Sequence, residues 1–364
     1  AAYIEQEDGS YEQVSDIPQS GYTLDTEKST CSNGAIPTGN TPNITINNLS
    51  KSGTSCYLYF KTISAKEFVL AHYSMVLTRG SFSSIVTDRT VGTIYKSLNS
   101  AQYDNNGEVY YFAGNPQDNW ISFGGFYWRI IRINGNGSIR IIYSGDASSG
   151  PVSMGQDTQI SLNGDNTFQF NNAIDRSEYV GLRYTLGQQY GQNVNSTLLN
   201  TLQLWYTSSG LSAEQYSKYI DTNIGFCSDR STSNGSWSST AGSIQYSAYT
   251  RSQSKELSLQ CDDNDILKIP VGLITADEVG FAGEVYGNFS TSHYLTTNLP
   301  YWTMSPMNYT SSLGAIVFFV NGSGFFNGTS YTVDTKWGVR PVINLSSDVK
   351  LTGSGTVSDP YRVV

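Results

Sequence analysis

The sequence has few charged residues and no long apolar run, and these absences exclude several classes of function. Asp, Glu, Lys and Arg make up 14% of its 364 residues, against roughly 25% in typical globular proteins. The net charge is −9 and basic residues do not cluster, so neither a nucleic acid nor an anionic membrane surface is an expected partner. The longest apolar run near the C-terminus, AIVFFV, is far shorter than the ~20 residues of a membrane-spanning helix.

Histidine is also scarce, so few side chains could act as a general base in catalysis. His72 falls in a predicted helix, where we expect it to pack, and His293 falls in a polar and aromatic segment, where we expect a contact role. Nucleophilic catalysis requires a base beside the nucleophile, and no GxSxG turn occurs. The GxG pairs lack the third glycine of a dinucleotide-binding loop. We therefore expect no catalytic residue, and an extracellular hydrolase is the least favoured interpretation.

The four cysteines lie at positions 31, 56, 227 and 261, and none forms a CxxC pair that would indicate a zinc knuckle or a redox site. Pairing of neighbours along the chain, Cys31 with Cys56 and Cys227 with Cys261, would stabilise the fold by about 3 kcal/mol each. We expect both disulfides, and four buried free thiols are the alternative. Disulfides, together with a surface built from Tyr, Ser, Thr and Asn, favour an exported protein, either secreted or held at the cell surface.

Metal-binding patterns are weak. Cys, His, Asp and Glu do not recur at metal-ligand spacing, so no metal site is predicted. Residues 104–108 and 262–265 are rich in Asp and Asn, whose oxygen atoms suit Ca²⁺. Neither loop matches the EF-hand pattern, and turns stabilised by their own side chains are the favoured interpretation. Ca²⁺ is thus a secondary expectation, and no other cofactor is expected.

The order of the predicted elements indicates an α+β protein. Residues 1–62 contain alternating segments such as TPNITINNLS and are predicted to form a small all-β module. Residues 63–107 are predicted to form a helix followed by a surface connector. Residues 108–364 are predicted to form a larger domain of mixed short helices and antiparallel sheet, because they show no βαβ alternation.

Capping patterns predict where helices begin. Ser64 and Glu67 form a capping box at the start of SAKEFVLAHYSMVL, whose apolar residues recur at helical spacing. Thr275 and Glu278 form a similar box before a short helix in LITADEVGFAG. STLLNTLQLWY and SAEQYSKYI are two further predicted helices, and the NGNG turn at 134–137 is predicted to close a hairpin.

The most unusual segment is residues 288–337. Asn, Tyr, Ser, Thr and Gly fill 28 of its 50 positions, and only Asp334 and Lys336 carry a formal charge. Tyr gives a large contact area at low entropic cost, and Ser, Gly and Asn give adaptable hydrogen bonds, as in antibody loops. We therefore expect a display surface here, and an aromatic edge of the protein's own core is the alternative. Core positions are expected at Ile316, Val320, Val339, Val342 and Ile343.

Several motifs together resemble a known group. YYFAGN, DNWISFGGFYWRIIRINGNGSIR, GLITADEVGFAG, YWTMSP and GVRPVINL, spread over residues 108–364, resemble secreted surface proteins of gut-dwelling Gram-positive bacteria. The C-terminal domains of that group are similar to the C-type-lectin-like fold in its formylglycine-generating-enzyme-related version. The chain also resembles the variable proteins of diversity-generating retroelements, in which codons of a C-terminal region are mutagenised.

The resemblance implies that YWTMSP and GVRPVINL are scaffold strands, in which Trp302 and Arg340 hold the sheet together. It also implies a ligand-binding surface between and just before these strands. The predicted ligand-binding residues are Tyr294, Asn298, Tyr301, Asn308, Tyr309, Phe319, Asn321, Phe325, Phe326, Asn327 and Tyr331. No Cys follows position 261, so the oxidase activity of the fold is not implied. No EPN, QPD or WND triplet occurs, so Ca²⁺-mediated sugar binding is not implied either.

Two classes of function are expected from these patterns. The first is a secreted or surface-anchored adhesion protein, whose Tyr-, Asn-, Ser- and Phe-rich surface binds a protein or glycan on another cell. The second is a structural subunit of a filament or pilus-like assembly, in which the all-β module mediates self-assembly.

Overall fold

The computed structural model describes the chain except for residues 42, 147–157, 289, 322–325 and 328–330, and except for the side chains of Asn40, Phe326 and Asn327. The described part is mixed α+β, as predicted, with few helices and many short strands. Most strand pairs are antiparallel.

The N-terminal part is an all-β module with its own small core. Its strands are β1 (Ala2–Glu5), β2 (Tyr11–Val14), β3 (Tyr22–Leu24), β4 (Thr30–Cys31), β5 (Ile36–Asn40), β6 (Asn43–Asn47) and β7 (Cys56–Thr62). The order β2-β1-β7-β3, with β4 also paired to β7, defines one sheet, and β5 and β6 form a hairpin beside it. Leu24, Leu58 and Phe60 centre its apolar cluster.

A helix and the first strands of the main sheet follow. They are α1 (Ala65–Leu70), β8 (Met75–Leu77), β9 (Arg89–Thr90), β10 (Thr93–Lys96), β11 (Tyr110–Tyr111), β12 (Asn115–Pro116), β13 (Trp120–Phe123), β14 (Phe126–Ile133) and β15 (Ile139–Asp146). The hairpin of β14 and β15 turns at the predicted NGNG segment, where Gly137 has a φ of 85°.

The middle of the chain contains most of the helices. Its elements are β16 (Phe168–Gln169), β17 (Arg183–Tyr184), β18 (Val194–Asn195), α2 (Thr197–Ser208), α3 (Glu214–Ser217), β19 (Phe226–Cys227), β20 (Ser243–Gln245), α4 (Ser247–Ser254), β21 (Ile266–Leu267) and α5 (Ala276–Phe281). Short 3-10 turns occur at Ser32–Gly34, Ser100–Gln102, Ser177–Val180 and Asp263–Asp265.

The C-terminal part, in its described residues, consists of strands and turns. The strands are β22 (Tyr301–Thr310), β23 (Gly314–Val320), β24 (Phe326–Asn327), β25 (Lys336–Trp337), β26 (Val342–Leu345), β27 (Leu351–Thr352) and β28 (Tyr361–Val363). The main sheet runs β27-β28-β13-β14-β11-β10-β8, and β15 pairs with both β14 and β26. A smaller sheet, β20-β22-β23-β24, carries the aromatic segment. A large apolar cluster includes residues from both sheets.

The predicted helix starts are confirmed at α1 and α5, where Ser64 with Glu67 and Thr275 with Glu278 form reciprocal capping boxes. The predicted length of α1 is wrong, because the helix ends at Leu70 and the apolar residues beyond His72 form β8. A short apolar run fits helix and strand spacing equally well. Here the run becomes a strand because β8 pairs in parallel with β10.

The helix predicted in STLLNTLQLWY is confirmed as α2, but the one in SAEQYSKYI is reduced to the single turn of α3. The expected connector between 63 and 107 is also different, because β8 and β10 belong to the main sheet. Phe82, Ile94 and Tyr95 are buried within this segment, so it contributes to the core instead of lying on the surface.

Both predicted disulfides are present, Cys31–Cys56 joining β4 to β7 and Cys227–Cys261 in the larger domain. Such bonds indicate an oxidising, extracellular environment. Among the described residues, no helix has the length and apolar character needed to cross a bilayer.

Candidate functional site

The C-terminal aromatic segment is mostly internal. Every residue of β22 from Tyr301 to Met307 and every residue of β23 is buried. Ile316, Val320, Val339, Val342 and Ile343 are buried, as expected of core positions. Both faces of this hairpin are therefore covered, and among the described residues of segment 288–337 the exposed side chains lie beyond the ends of β22 and β23.

Four predicted ligand-binding rings are turned inward, so their predicted exposure is wrong. Tyr294, Tyr301, Tyr309 and Phe319 are between 0 and 4% exposed. The hydroxyl of Tyr301 donates to the Leu295 carbonyl at 2.7 Å. The hydroxyl of Tyr309 lies 3.1 Å from the carbonyls of Asp175 and Thr240. All four rings are buried, and the hydroxyls of Tyr301 and Tyr309 bond to backbone carbonyls. These side chains therefore stabilise the fold and are not exposed to a ligand.

Tyr294 and His293 are buried together, which also corrects the contact role expected for His293. Their rings stack with centroids 5.2 Å apart, and the Arg129 guanidinium lies 5.3 Å from the Tyr294 ring. Burial lowers the pKa of His293 to about 4. Burial also raises the pKa of Tyr294. Both side chains are therefore neutral at pH 7.

His293 lies beside a second buried titratable group. Its Nδ1 is 3.7 Å from Oε1 of Glu284, whose side chain is almost completely buried. Neither carboxyl oxygen has a hydrogen-bond partner among the described residues. Burial raises the pKa of Glu284 to about 8, so the carboxyl is protonated at neutral pH.

The structural residues implied by the resemblance lie in the core. Trp302 is buried and its Nε1 donates to the Phe168 carbonyl at 2.8 Å. Arg340 is buried and its guanidinium donates to the carbonyls of Tyr143 and Leu295 at 3.0 and 3.2 Å. Arg340 also lies 5.2 Å over the Tyr301 ring, so it connects the main sheet to the start of β22.

Three predicted ligand-binding residues do lie together near the surface, at the end of the hairpin. Asn298 is exposed just before β22, Asn321 is half-buried just after β23, and Tyr331 is 45% exposed. Tyr301 pairs with Val320 and bridges to Gly338. The start of β22, the end of β23 and the end of β25 therefore adjoin.

The remaining predicted positions are elsewhere or lie outside the described residues. Asn308 is half-buried near the far end of β22, paired with Gln245 of β20. It lies seven positions along the strand from Tyr301, or roughly 23 Å. Phe325 lies outside the described residues, and Phe326 and Asn327 are described only as the backbone of β24.

We define the strand-end surface as Asn298, Asn321, Tyr331, Lys336 and Trp337. The Tyr331 ring meets the half-buried Trp337 ring edge-on at 5.1 Å. Behind them the buried Phe319 ring lies 5.6 Å from Tyr331 and 5.3 Å from Trp337. The exposed ring of Tyr331 is thus supported from below by the core.

Sequence reasoning missed two contributors to this surface. Trp337 was treated as the boundary of the aromatic segment, although its ring is the main support of Tyr331. Phe168 pairs with Trp337 between β16 and β25, and no local pattern links two residues so far apart in sequence. Gln169, next to Phe168, donates to the Asp334 carbonyl at 2.7 Å and fixes the strand pair.

A second concentration of polar residues is a cleft lined by arginines and carboxylates. Glu278 accepts from the Arg132 Nε at 3.1 Å and forms a second ion pair with Arg140. Burial acts to raise the pKa of Glu278, but Arg140 and Arg132 lower it overall. Asp104, in one of the Asx-rich loops, accepts from Arg132 at 2.9 Å.

The same cleft is completed by Arg251, which pairs with Asp277 at 2.8 Å and with Asp229 at 2.6 Å. Arg132 and Arg251 each already pair with two carboxylates, so the cleft offers few groups for a ligand. Removing one member of a buried pair leaves an uncompensated charge, so these groups are committed to one another. Across the described ranges, no three His, Cys, Asp or Glu residues are grouped to hold a metal ion.

Comparisons with protein-family models, with curated proteins and with solved structures find no match to this chain. The geometry of the strand-end surface and of the clefts is therefore the basis for assigning a function.

Proposed function

We propose that this chain is an extracellular binding protein, with a C-type-lectin-like domain that recognises a protein or glycan on another cell. The observation that carries the proposal is the exposed ring of Tyr331, fixed against Trp337 and Phe319. A ring held in place before binding loses little conformational entropy on contact. Tyr and Trp are also the residues most enriched at binding hot spots.

Three further features support adhesion over catalysis. The strand-end surface is built from amide and aromatic side chains with Lys336 as its one formal charge. The charged side chains of the arginine- and carboxylate-lined cleft form ion pairs with one another. The two disulfides suit a protein exposed outside the cell.

The experiment is a binding screen on glycan and host-protein arrays, with intact protein, Tyr331→Ala and a matched control, Tyr57→Ala. Tyr57 is 54% exposed and lies in the N-terminal module. We expect Tyr331→Ala to weaken binding to the array ligand by about tenfold or more, as for a hot-spot residue, and Tyr57→Ala to leave it unchanged. Equal binding by all three proteins would reject the surface.

The proposed relation to retroelement variable proteins has a separate test. We expect a reverse-transcriptase gene and a template repeat near the gene, matching the DNA that encodes residues 288–337. A locus without either element would reject diversification of this segment, and the proposed binding role would be unaffected.

A filament subunit is the second candidate function, and one observation favours it. β8 lies at the edge of the main sheet and, within the described residues, pairs on one side only, with β10. Its three residues Met75, Val76 and Leu77 are 55, 47 and 37% exposed. An apolar edge strand of this kind can pair with an edge strand of a second copy.

Size-exclusion chromatography and negative-stain imaging test this candidate. If copies of the chain pair through β8, concentrated protein elutes as an oligomer and Val76→Lys restores the monomer. A monomer at all concentrations, with or without the substitution, would exclude assembly through this edge.

A further inference from the structure

A groove of about 470 Å³ lies between the N-terminal module and the rest of the chain. Tyr22, Thr23 and Asn43 of the module form one wall. Phe68 and His72, at the end of α1, and Thr352 of β27 form the other. The volume is within the roughly 300–1,000 Å³ of known ligand pockets, which occur preferentially at such junctions.

Four polar side chains of this groove are available to a ligand, whereas Gln19, Thr41, Ser354 and Asp359 of its lining are hydrogen-bonded within the protein. The side chains of Thr23, Asn43 and Thr352 accept or donate no hydrogen bond to any described residue. His72 Nδ1 donates to the Phe68 carbonyl at 2.9 Å, and its Nε2 has no partner in the described part of the chain. The groove therefore presents an amide, two hydroxyls and a ring nitrogen to whatever enters it.

Aromatic rings stand on both walls, and each is held in place. The half-buried Phe68 ring lies 5.1 Å from the His72 ring and 6.2 Å from the buried Tyr361 ring. On the module side, Lys350 Nζ donates to the Tyr22 hydroxyl at 3.4 Å and lies 4.7 Å from its ring centre. The rings thus need little reordering to contact a ligand.

Gly21 lies close to both walls of the groove. Gly21 has a φ of 73°, and a Cβ at this position would lie 2.6 Å from the Lys350 side chain. The Ile63 amide donates to the Gly21 carbonyl at 3.2 Å, directly before α1. A side chain at position 21 would therefore be strained and would have to displace the Lys350 side chain.

The chemistry of the lining selects among ligand classes. Phosphates and nucleotides require clustered basic groups, whereas Asp359 is the acidic residue of the lining and Lys350 is engaged by Tyr22. Amides and hydroxyls both donate and accept, which matches the hydroxyl groups of a sugar. The apolar C–H face of a sugar ring packs on an aromatic ring, as other apolar surfaces do.

We propose that this groove binds a neutral saccharide of one or two sugar units. In the bound state, Phe68 and Tyr22 contact the apolar faces of the sugar, and Asn43, Thr352 and His72 bond its hydroxyls. This site uses other elements than the strand-end surface, so the two bind their ligands independently.

The test is saturation-transfer NMR on the full chain with methyl glycosides of glucose, galactose, mannose and N-acetylglucosamine, and with lactose and cellobiose. We expect saturation of the ring protons of at least one sugar. Phe68→Leu, which keeps apolar packing and removes the ring, is expected to raise the Kd by about three- to tenfold. Asn43→Ala, at an exposed position, is expected to weaken binding to a similar extent.

Tyr331→Ala serves as the matched control, because it alters the strand-end surface and leaves the groove intact. Its sugar affinity is expected to equal that of the unmodified chain, and thermal unfolding confirms that each variant is folded. Absence of saturation transfer to every sugar in the panel would overturn the proposal. Unchanged affinity in both Phe68→Leu and Asn43→Ala would do the same, whatever the arrays show for the strand-end surface.

Discussion

Replacing Glu284 by Gln is expected to change how the stability of the fold depends on pH. In the folded state Glu284 titrates at about 8 and His293 at about 4, against 4.5 and 6.5 for the free groups. Between pH 4.5 and 6.5 the pair holds one proton in both states, on the carboxyl when folded and on the imidazole when unfolded. Within this range the two groups therefore make stability independent of pH.

Outside that range the two groups make the free energy of unfolding depend on pH, Glu284 on the alkaline side and His293 on the acidic side. Above pH 6.5 neither group carries a titratable proton in the unfolded state, while the folded Glu284 carboxyl keeps its proton. The free energy of unfolding therefore falls as the pH rises to about 8. At about 1.4 kcal/mol per pH unit and proton, the loss over this interval is about 2 kcal/mol. Below pH 4.5 the unfolded pair holds two protons, so stability falls again until His293 is protonated in the folded state.

The Gln variant removes the carboxyl and leaves the effect of His293 alone. Its free energy of unfolding is expected to rise by about 3 kcal/mol between pH 4 and 6.5 and then to be flat to pH 8 as far as this pair is concerned. Urea unfolding of both proteins at half-unit steps measures the difference, in which the other titrating groups cancel. Parallel profiles for the two proteins would refute the assignment of a protonated, buried Glu284.

Three other substitutions follow from contacts in the core. Glu278→Ala leaves two buried guanidinium groups without their shared carboxylate and is expected to lower the free energy of unfolding by about 3–5 kcal/mol, measured in urea; a loss below 1 kcal/mol would contradict the buried network. Replacing Cys227 and Cys261 together by Ser opens a loop of sequence separation 34 and is expected to cost about 3–4 kcal/mol, measured by thermal unfolding against the parent with both disulfides intact. Trp302→Phe leaves the Phe168 carbonyl without its donor and is expected to cost about 1–3 kcal/mol, and calorimetry showing no change would argue against that bond.

Local features of the fold were predictable where a few neighbouring residues decide the conformation. A capping box satisfies backbone amides within one helical turn. Ser64 and Thr275 therefore indicate helix starts from the local sequence alone. Disulfides between neighbouring cysteines likewise need no knowledge of distant contacts. The end of α1 was not predictable, because Met75–Leu77 becomes a strand only through pairing with Thr93–Tyr95, a segment distant along the chain.

The site was predictable only in part, because composition does not distinguish a buried polar residue from an exposed one. Thr303 is a useful case: its hydroxyl donates to the Phe318 carbonyl at 2.8 Å, inside the hairpin. Tyr301 and Tyr309 are satisfied in the same way by backbone carbonyls. Since both faces of the hairpin are covered, no alternation of apolar and polar residues marks an outer face.

The covered hairpin limits where this chain can change. Tyr301, Trp302 and Tyr309 each donate to a backbone carbonyl outside the hairpin, so random replacement there would damage folding before it altered recognition. Among the described residues of segment 288–337, the exposed positions where new side chains would not cause such damage lie beyond the strand ends, around Asn298 and Tyr331 and at the turn 311–313. Lineages descended from this sequence should therefore diverge in a few clustered codons while the intervening strands stay nearly unchanged.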